Sequence, residues 1–529
     1  MSIYTTITAS LPFIEVDLNL TPQQMSMFIN GLKYIIPCQS RFSGKSIEQL
    51  VNERYQSIST TVKNCLKDHR IPTANQRAEE AFQALRCILH ELQSKKLSKK
   101  LGKRAKREYN IVQSIRCLLR NRSDIVIRRT DKSKVFYIGK ATDFARKAEE
   151  YMLKTKAYQE ITNGRCPLAD MLHAVQTLLA SFVKQGALTK QQSNKISPNL
   201  NKLELAPIFL NFARRTTFIN GIDVTRKLEQ YVMDGHFRST TKFVTVDVTD
   251  LYSMIARQGA LEALMRFFEK HSDHGKIGSL AIDHIMRMAR LILDTNCFAY
   301  NNKYYKQCRG GAMGSAFTQV LANIYMYEWE QHLMKHQEKH NGIYGRYIDD
   351  ILMATNQTVD EIKEELDKMK NKDVNININY EIHTSVNFLD ITIKNNNGQL
   401  NTSLYHKPTA KPYILPYTSD HPRHIHRNIP YAALLRAARI CSDVHDFNSA
   451  RIRIDMSLLL NNYPPNFILK RFYRFFQVNN AISVLNELNE QVYQLLHQLL
   501  LHQPTRREKE LHIMVEDPIR SPTVLQQKI

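Results

Sequence analysis

Apolar and polar positions follow two periods along this chain, and the points where one gives way to the other delimit its elements. Phe243-Val244-Thr245-Val246 is an apolar and β-branched run, which predicts a buried strand delivering Asp247 at its end. A helix is expected from about Leu251, with Asp250 as its candidate cap. Gly345-Arg346-Tyr347-Ile348 and Ile351-Leu352-Met353 are β-formers on either side of Asp349-Asp350, a strand–turn–strand pattern. Between these regions Val320, Leu321, Ile324 and Tyr325 fall on one helical face. Thr358-Val359-Asp360-Glu361 reads as a capping box, followed by Val359, Ile362, Leu366 and Met369 on one face. Further strands are expected at Val374–Tyr380 and Phe388–Ile393. The sum is an α+β chain whose antiparallel sheet is covered by helices on one side, a split βαβ arrangement. Residues 1–120 read as helical and polar. From about Asn401 the pattern becomes helical again, with a turn at Asn461-Asn462-Tyr463-Pro464-Pro465.

The chemistry gathers at the strand ends. Successive side chains on a strand point to opposite faces, but a tight hairpin turn presents two adjacent carboxylates at one edge. A lone Asp-Asp pair is ordinarily a solvated turn. A second strand-borne carboxylate, Asp247, far upstream, changes its meaning. Two such sites converging from distant sequence suit a two-metal centre, with cations about 3.5–4 Å apart on the attacking and leaving oxygens. Ligands that are all oxygen favour Mg²⁺. Between the acidic strands lies Gln307-Cys308-Arg309-Gly310-Gly311-Ala312-Met313-Gly314-Ser315, whose glycines let backbone approach a nucleotide or template base closely.

Composition narrows the partners. Among 529 residues, 73 basic against 50 acidic side chains give a net charge of +23, an excess that draws polyanions. Nucleic acid is the simplest partner. No apolar run is long enough to span a bilayer, and no lipidation signal or amphipathic anchor supports a membrane role. Glu15 and Asp17 close behind a short apolar patch argue against a signal peptide. The eight cysteines occur singly, without a C-x-x-C pair, which suits a reducing compartment, nucleus or cytoplasm. Gly44-Lys45-Ser46 lacks the upstream glycine of a P-loop. The densest basic run, Ser94 to Arg107, reads as a solvated helix face, an RNA-contacting arm or a nuclear import signal. Lys470 to Phe476 interleaves cations with aromatics, either tracking a nucleic-acid backbone or forming an amphipathic helix with core aromatics. His421, His424 and His426, with Pro422 and Arg423 interspersed, read as backbone or phosphate contacts rather than a metal site.

Taken in order, these residues resemble the palm of a reverse transcriptase, and within that class the telomerase-related Penelope-like retroelements. Asp247 to Tyr252 resembles the first palm motif, Ala312 to Ser315 with Leu321 to Met326 the second, and Arg346 to Asp350 the third. Val386-Asn387-Phe388-Leu389-Asp390 and the thumb-like His421 to Tyr431 extend the similarity, which runs from about Ser123 to Pro504. The resemblance implies a right-handed polymerase with fingers, palm and thumb that adds dNTPs to a DNA primer on an RNA template. It implies that Asp247 and Asp349 bind two Mg²⁺ ions, with Mn²⁺ as a substitute, that Asp350 is the third carboxylate and that the Val248 carbonyl completes one shell. Tyr252 falls where the family excludes a ribose 2′-OH, the alternative being a core tyrosine. Gln307 and Gly314 would shape the nucleotide and template pocket, and the fingers match Asp124 to Lys132 would bring Arg128 and Lys132 to the nucleotide.

The implied organisation is a basic helical region at 1–120, fingers at 121–215, a palm at 216–400 and a thumb-like region at 401–529, truncated at its end. One departure stands out. The family's Pro-Lys-x-His-Lys and Arg-Pro-Ile fingers segments are missing: Leu203 to Asn211 passes directly into Arg214 to Gly221. The GIY-YIG nuclease attached to many relatives is missing too, since Tyr137-Ile138-Gly139 has no partner upstream and Gly342-Ile343-Tyr344 lies within the palm. Two readings therefore stand, an active reverse transcriptase and a non-catalytic nucleic-acid-binding remnant. A DNA-templated polymerase or metal nuclease fits Arg346 to Asp350 less well.

Overall fold

The computed structural model describes residues 13–68, 76–130, 135–162, 165–196, 216–272, 274–277, 280–406, 414–505 and 509. The apparent fingers junction, Leu203 to Arg215, lies outside them, as does Lys132. The chain divides into two compact units, Met1–Ala145 with Lys407–Ala432 and Arg453–Phe472, and Arg146–His406 with Ala433–Ile452 and Tyr473–Ile529.

The first unit is mainly helical at its start, as its polar periodicity predicts. Helices Ile47–Asp68 and Gln76–Ser94 pair with each other, and Pro22–Asn30 packs on Lys99–Arg120. Strands Ile125–Arg129 and Phe136–Lys140 form an antiparallel hairpin, with Phe13–Ile14 alongside in parallel. Chain from after residue 413 joins the same unit: Ser419 Oγ accepts the Ile35 N–H at 2.9 Å, and the Thr418 carbonyl accepts a hydrogen bond from Arg104. His426 is buried against the Ser419 carbonyl at 3.1 Å. His424 and His426 lie on a helix, Arg423–Ile440, that continues through Pro430.

The second unit is built on a four-stranded antiparallel sheet. Its strands lie in the order Ile343–Tyr347, Asp350–Thr355, Lys242–Thr249 and Asn377–His383. Helix Ala316–Lys339 precedes the first hairpin strand in the chain, and helix Val359–Lys372 connects its second strand to the far edge. Counting from the Asp247 strand, four helices, Leu251–Met254, Arg257–His271, Ile282–Asp294 and Ala316–Lys339, come before the hairpin, and one more leads from it to the edge strand. Alternation explains which face is covered. Val244, Val246 and Val248 point into a core with Leu264, Phe268, Met288, Phe317, Leu321, Ile362 and Leu366, all contributed by helices. Phe243, on the opposite face, packs with Phe218, Leu352, Ala354 and Phe388. Toward Asp247 that second face opens to solvent.

Two expected strands sit differently. The strand predicted from Val374 begins at Asn377, because Asp373 Oδ1 accepts from the Asn375 N–H (2.8 Å) and Nδ2 (3.0 Å), a side-chain turn that delays extension. Phe388–Ile393 is split between Ser385–Phe388 and Ile391–Asn396, which pair across a two-residue turn with Leu389 at φ 53°. The capping box at Thr358 and Glu361 forms as expected.

Candidate catalytic centre

Sheet register brings the acidic residues together. Asp350 stands directly opposite Asp247, and Asn379 stands opposite Asp247 from the other side. Cross-strand partners share a face with Cβ atoms about 4.5–5.5 Å apart. Asp247 is exposed on the open face, between the buried Val246 and Val248. Asp349 occupies the hairpin turn, and its carbonyl accepts the Val248 N–H at 3.0 Å, so the turn is bonded to the strand that carries Asp247.

That turn is strained. Ile348 has φ 61°, in the left-handed region where a β-branched residue is an outlier that costs of order 1–3 kcal/mol. A buried network holds it. Arg346 Nη1 donates to the Ile348 carbonyl at 2.8 Å and to Asn323 Oδ1 at 2.7 Å. Its Nε donates to Glu330 Oε2 at 2.6 Å, and both side chains are 0 % exposed. Tyr344 OH donates to the same carboxylate at 2.8 Å. Burial alone would lower the pKa of Arg346, but the charge and hydrogen bonds of Glu330 outweigh it and hold it above its ordinary value. The edge of the hairpin is closed as well: Phe218 N–H donates to the Arg346 carbonyl and Arg346 N–H to the Thr216 carbonyl, each at 2.8 Å.

Tyr252 lies on the short helix Leu251–Met254, just beyond the Asp247 strand. Burial, then the charge of Asp349, push its phenol up to about 12. Asp250, expected as a helix cap, takes the N-cap position at φ 54° but makes no side-chain cap; its Oδ1 accepts from Tyr151 OH at 3.3 Å.

The glycine loop packs on the same turn. Gly311 N–H donates to the Tyr252 carbonyl and Gly310 N–H to that of Ile255, both at 2.9 Å. Gly310 has φ 57°, and a Cβ there would collide with the Tyr252 carbonyl. Gly314, expected to shape the nucleotide pocket, has φ 87° and open space around it. Gln307 is buried, and its Nε2 donates to the carbonyls of Arg309 (2.9 Å) and Gly311 (3.1 Å). Its carboxamide shapes the loop from behind. Pattern reading takes in Gly310 within the glycine-rich run and Asn323 within Leu321 to Met326 but passes over Glu330, which carries no sequence signal beyond being an acid on an otherwise apolar helix face.

Arg128 belongs to the first unit, where its guanidinium lies 5.2 Å from the Phe144 ring centroid. In helix Pro465–Val478, Phe472, Phe475 and Phe476 are buried while Lys470, Tyr473 and Arg474 are exposed, the amphipathic helix with core aromatics that the sequence pattern allowed. Among the described residues no three His, Cys, Asp or Glu side chains are already grouped to hold a metal ion. The donor set at the hairpin nonetheless fits a hard cation: Asp247 and Asp350 face each other in register on an open face, with a third carboxylate at the adjoining turn. Among the described residues no helix is long and apolar enough to cross a membrane. None of the eight cysteines forms a disulfide.

Comparison with known proteins gives a partial picture. A family model described as an animal helix-turn-helix domain matches residues 413–473. No curated protein matches the chain. Among solved structures, telomerase from Candida albicans in complex with a fragment of telomeric RNA has a TM-score of 0.49 at 10 % identity, covering 90 % of this chain and 86 % of that one. Apo telomerase from Candida tropicalis has a TM-score of 0.40 at 11 % identity, with 94 % and 91 % covered.

Proposed function

We propose that this chain is an RNA-directed DNA polymerase of the Penelope-like retroelement class, working on an RNA template, a DNA primer and dNTPs. One juxtaposition carries the reading: Asp350 stands in register with Asp247, and Asp349 occupies the strained turn beside them. The four-stranded sheet with helices packed on one face supports the reading of residues 216–400 as a palm. Asp247 and Asp349 would hold two Mg²⁺ ions, or Mn²⁺ in their place, with Asp350 adjoining and the Val248 carbonyl on one ion. Bound there, the ions would supply charge neutralisation for the attacking 3′-oxygen and the departing pyrophosphate. The protein's own part is positioning: the Arg346–Glu330 network fixes the turn, and Tyr252, on the short helix Leu251–Met254 against the glycine loop, would form the floor on which a ribose rests.

The test is incorporation of dNTPs on an RNA template by the purified protein with Mg²⁺, beside Asp247→Asn. An amide keeps the shape and removes the charge, so incorporation is expected to fall to background. Equal incorporation by both proteins would refute the reading. A second reading, a nucleic-acid-binding remnant without catalysis, is favoured by the sequence from Leu203 to Gly221, where the cationic fingers segments of the resembled family are missing. It requires salt-sensitive binding of primer–template with no incorporation at any Mg²⁺ or Mn²⁺ concentration.

A further inference from the structure

We propose that the corner between helix Ala141–Thr155 and strand Tyr158–Glu160 carries the cation that meets the triphosphate of the incoming nucleotide, and that Lys154 is that cation. The inference rests on the polymerase reading and supplies what its fingers segments would otherwise provide. The corner is bonded both to the turn that follows Asp247 and to the glycine loop. On one side Tyr151 OH shares a 2.8 Å hydrogen bond with Ser253 Oγ and donates to Asp250 Oδ1 at 3.3 Å, which fastens the helix to the turn leading from Asp247 to Tyr252. On the other, the Ala157 carbonyl accepts the N–H groups of Cys308 (2.7 Å) and Arg309 (3.3 Å). Strand Tyr158–Glu160 then pairs with Lys303–Gln307, the strand that runs into the glycine loop.

At this corner Lys154 Nζ lies 4.0 Å from Asp250 Oδ2, and its side chain is 75 % exposed. That is a loose partnership. The other cations of the neighbourhood face inward: Arg257 Nε donates to the Gly310 carbonyl (2.9 Å) while its Nη2 is buried, Arg309 donates to Asn375 Oδ1 (2.7 Å), and Arg346 is sealed in the core with Glu330. Lys156, two residues on, is also exposed. A leaving pyrophosphate is a concentrated negative charge that departs opposite the attacking oxygen, and positioned cations at its edge stabilise it. Lys154 has the charge, the reach of a four-carbon stem and no strong competing bond. A purely structural role, that of an exposed ion pair with Asp250, would leave nucleotide affinity untouched.

The experiment measures dNTP dependence in primer extension for the full chain and for Lys154→Ala, Lys154→Arg and, as a control of equal charge loss, the exposed Lys147→Ala. Without this one charge-assisted hydrogen bond, the KM for dNTP should rise on the order of 10- to 100-fold in Lys154→Ala. Primer–template affinity should stay the same, Lys154→Arg should recover most of the loss, and Lys147→Ala should behave like the parent. A KM unchanged in Lys154→Ala overturns the inference while the polymerase reading stands. Should the parent protein incorporate nothing, tripolyphosphate binding by the parent and by Lys154→Ala decides independently of catalysis. A loss confined to Lys154→Ala supports the corner as a polyphosphate site even as the polymerase reading fails, and equal binding overturns it.

Discussion

Two ion pairs lie near the candidate centre, and they could hardly differ more. Arg346 and Glu330 are both 0 % exposed and bonded at 2.6 Å, while Lys154 and Asp250 are 75 % and 26 % exposed and 4.0 Å apart. The first pair cannot meet a substrate; through the Ile348 carbonyl it fixes where Asp349 sits. The second fixes nothing and leaves its ammonium available. The comparison separates two uses of charge at one site, geometry held by a dry pair and neutralisation supplied by a wet one. Removing a partner from the dry pair strands a buried charge, whereas the wet pair is worth little as a pair.

The largest effect that can test this contrast lies outside both pairs. Asp247→Asn removes a carboxylate's charge while sparing the fold, so the expected result is background incorporation with an unchanged denaturation midpoint. Unfolding of this variant would mean that Asp247 has a structural part which its exposure does not suggest. Next comes the dry pair. Glu330→Gln leaves the guanidinium buried without its counter-charge, which costs about 3–5 kcal/mol. Chemical denaturation should show that loss, together with a fall in turnover. The sharper variant is the double replacement of Glu330 and Arg346 by Leu and Met. It should regain stability relative to Glu330→Gln, since a buried pair exchanged for apolar groups is often neutral, yet turnover should stay low because the Ile348 carbonyl has lost its donor. Turnover that returns along with stability would reduce the pair to packing.

A smaller effect is expected where the glycine loop meets Tyr252. Gly310→Ala places a methyl against the Tyr252 carbonyl at a backbone φ of 57°, and overpacking of this kind costs about 1–3 kcal/mol. The damage should appear as a raised KM for dNTP, with primer–template binding unchanged. Gly314→Ala meets no neighbouring atom and should strain only its own backbone, at φ 87°. Equal consequences at the two glycines would remove the distinction between them.

What the sequence revealed and what it concealed follow from the range of the interactions. The Asp247 strand, the Asp349-Asp350 hairpin and the Val359 helix are local: apolar alternation, a two-residue turn and a capping box each fit within a short window. The approach of Asp247 to Asp350 is not local, but two acidic strand ends in one sheet made it an inference open to reading. Glu330 gave no such clue, because its partner Arg346 lies beyond the end of its own helix and only the folded sheet brings them together. Lys154 was equally silent, since nothing in a lysine near the end of a helix of balanced charge says that Tyr151 will fasten that helix beside Asp250. Turn chemistry accounts for the misplaced strand boundaries at Val374 and Leu389. Helix Arg423–Ile440 continues through Pro430, where a proline usually marks an end.

The smallest effect concerns charge that serves neither pair. Helix Lys99–Arg120, in the first unit, begins with Ser98 Oγ accepting the Leu101 N–H at 3.3 Å and has no acid in its first turn. Lys99, Lys100 and Lys103 are exposed there instead. Cations at a helix N-terminus oppose the macrodipole, each at a cost of typically 0.3–1 kcal/mol. An RNA phosphate backbone would offset that cost, whereas an indifferent solvated face would gain nothing from bearing it. Replacing the three lysines by Gln should therefore change two quantities in opposite senses. Stability of the free protein should rise by about 1–3 kcal/mol, while RNA affinity should fall and its logarithmic salt slope should shrink by roughly 0.7–0.9 for each phosphate no longer neutralised. Thermal unfolding and binding titrations across a salt series read the two separately. A variant that gains stability and binds RNA with an unchanged salt slope would show this helix end to be a solvated face, and the phosphate-binding cations would have to be sought elsewhere among the basic residues.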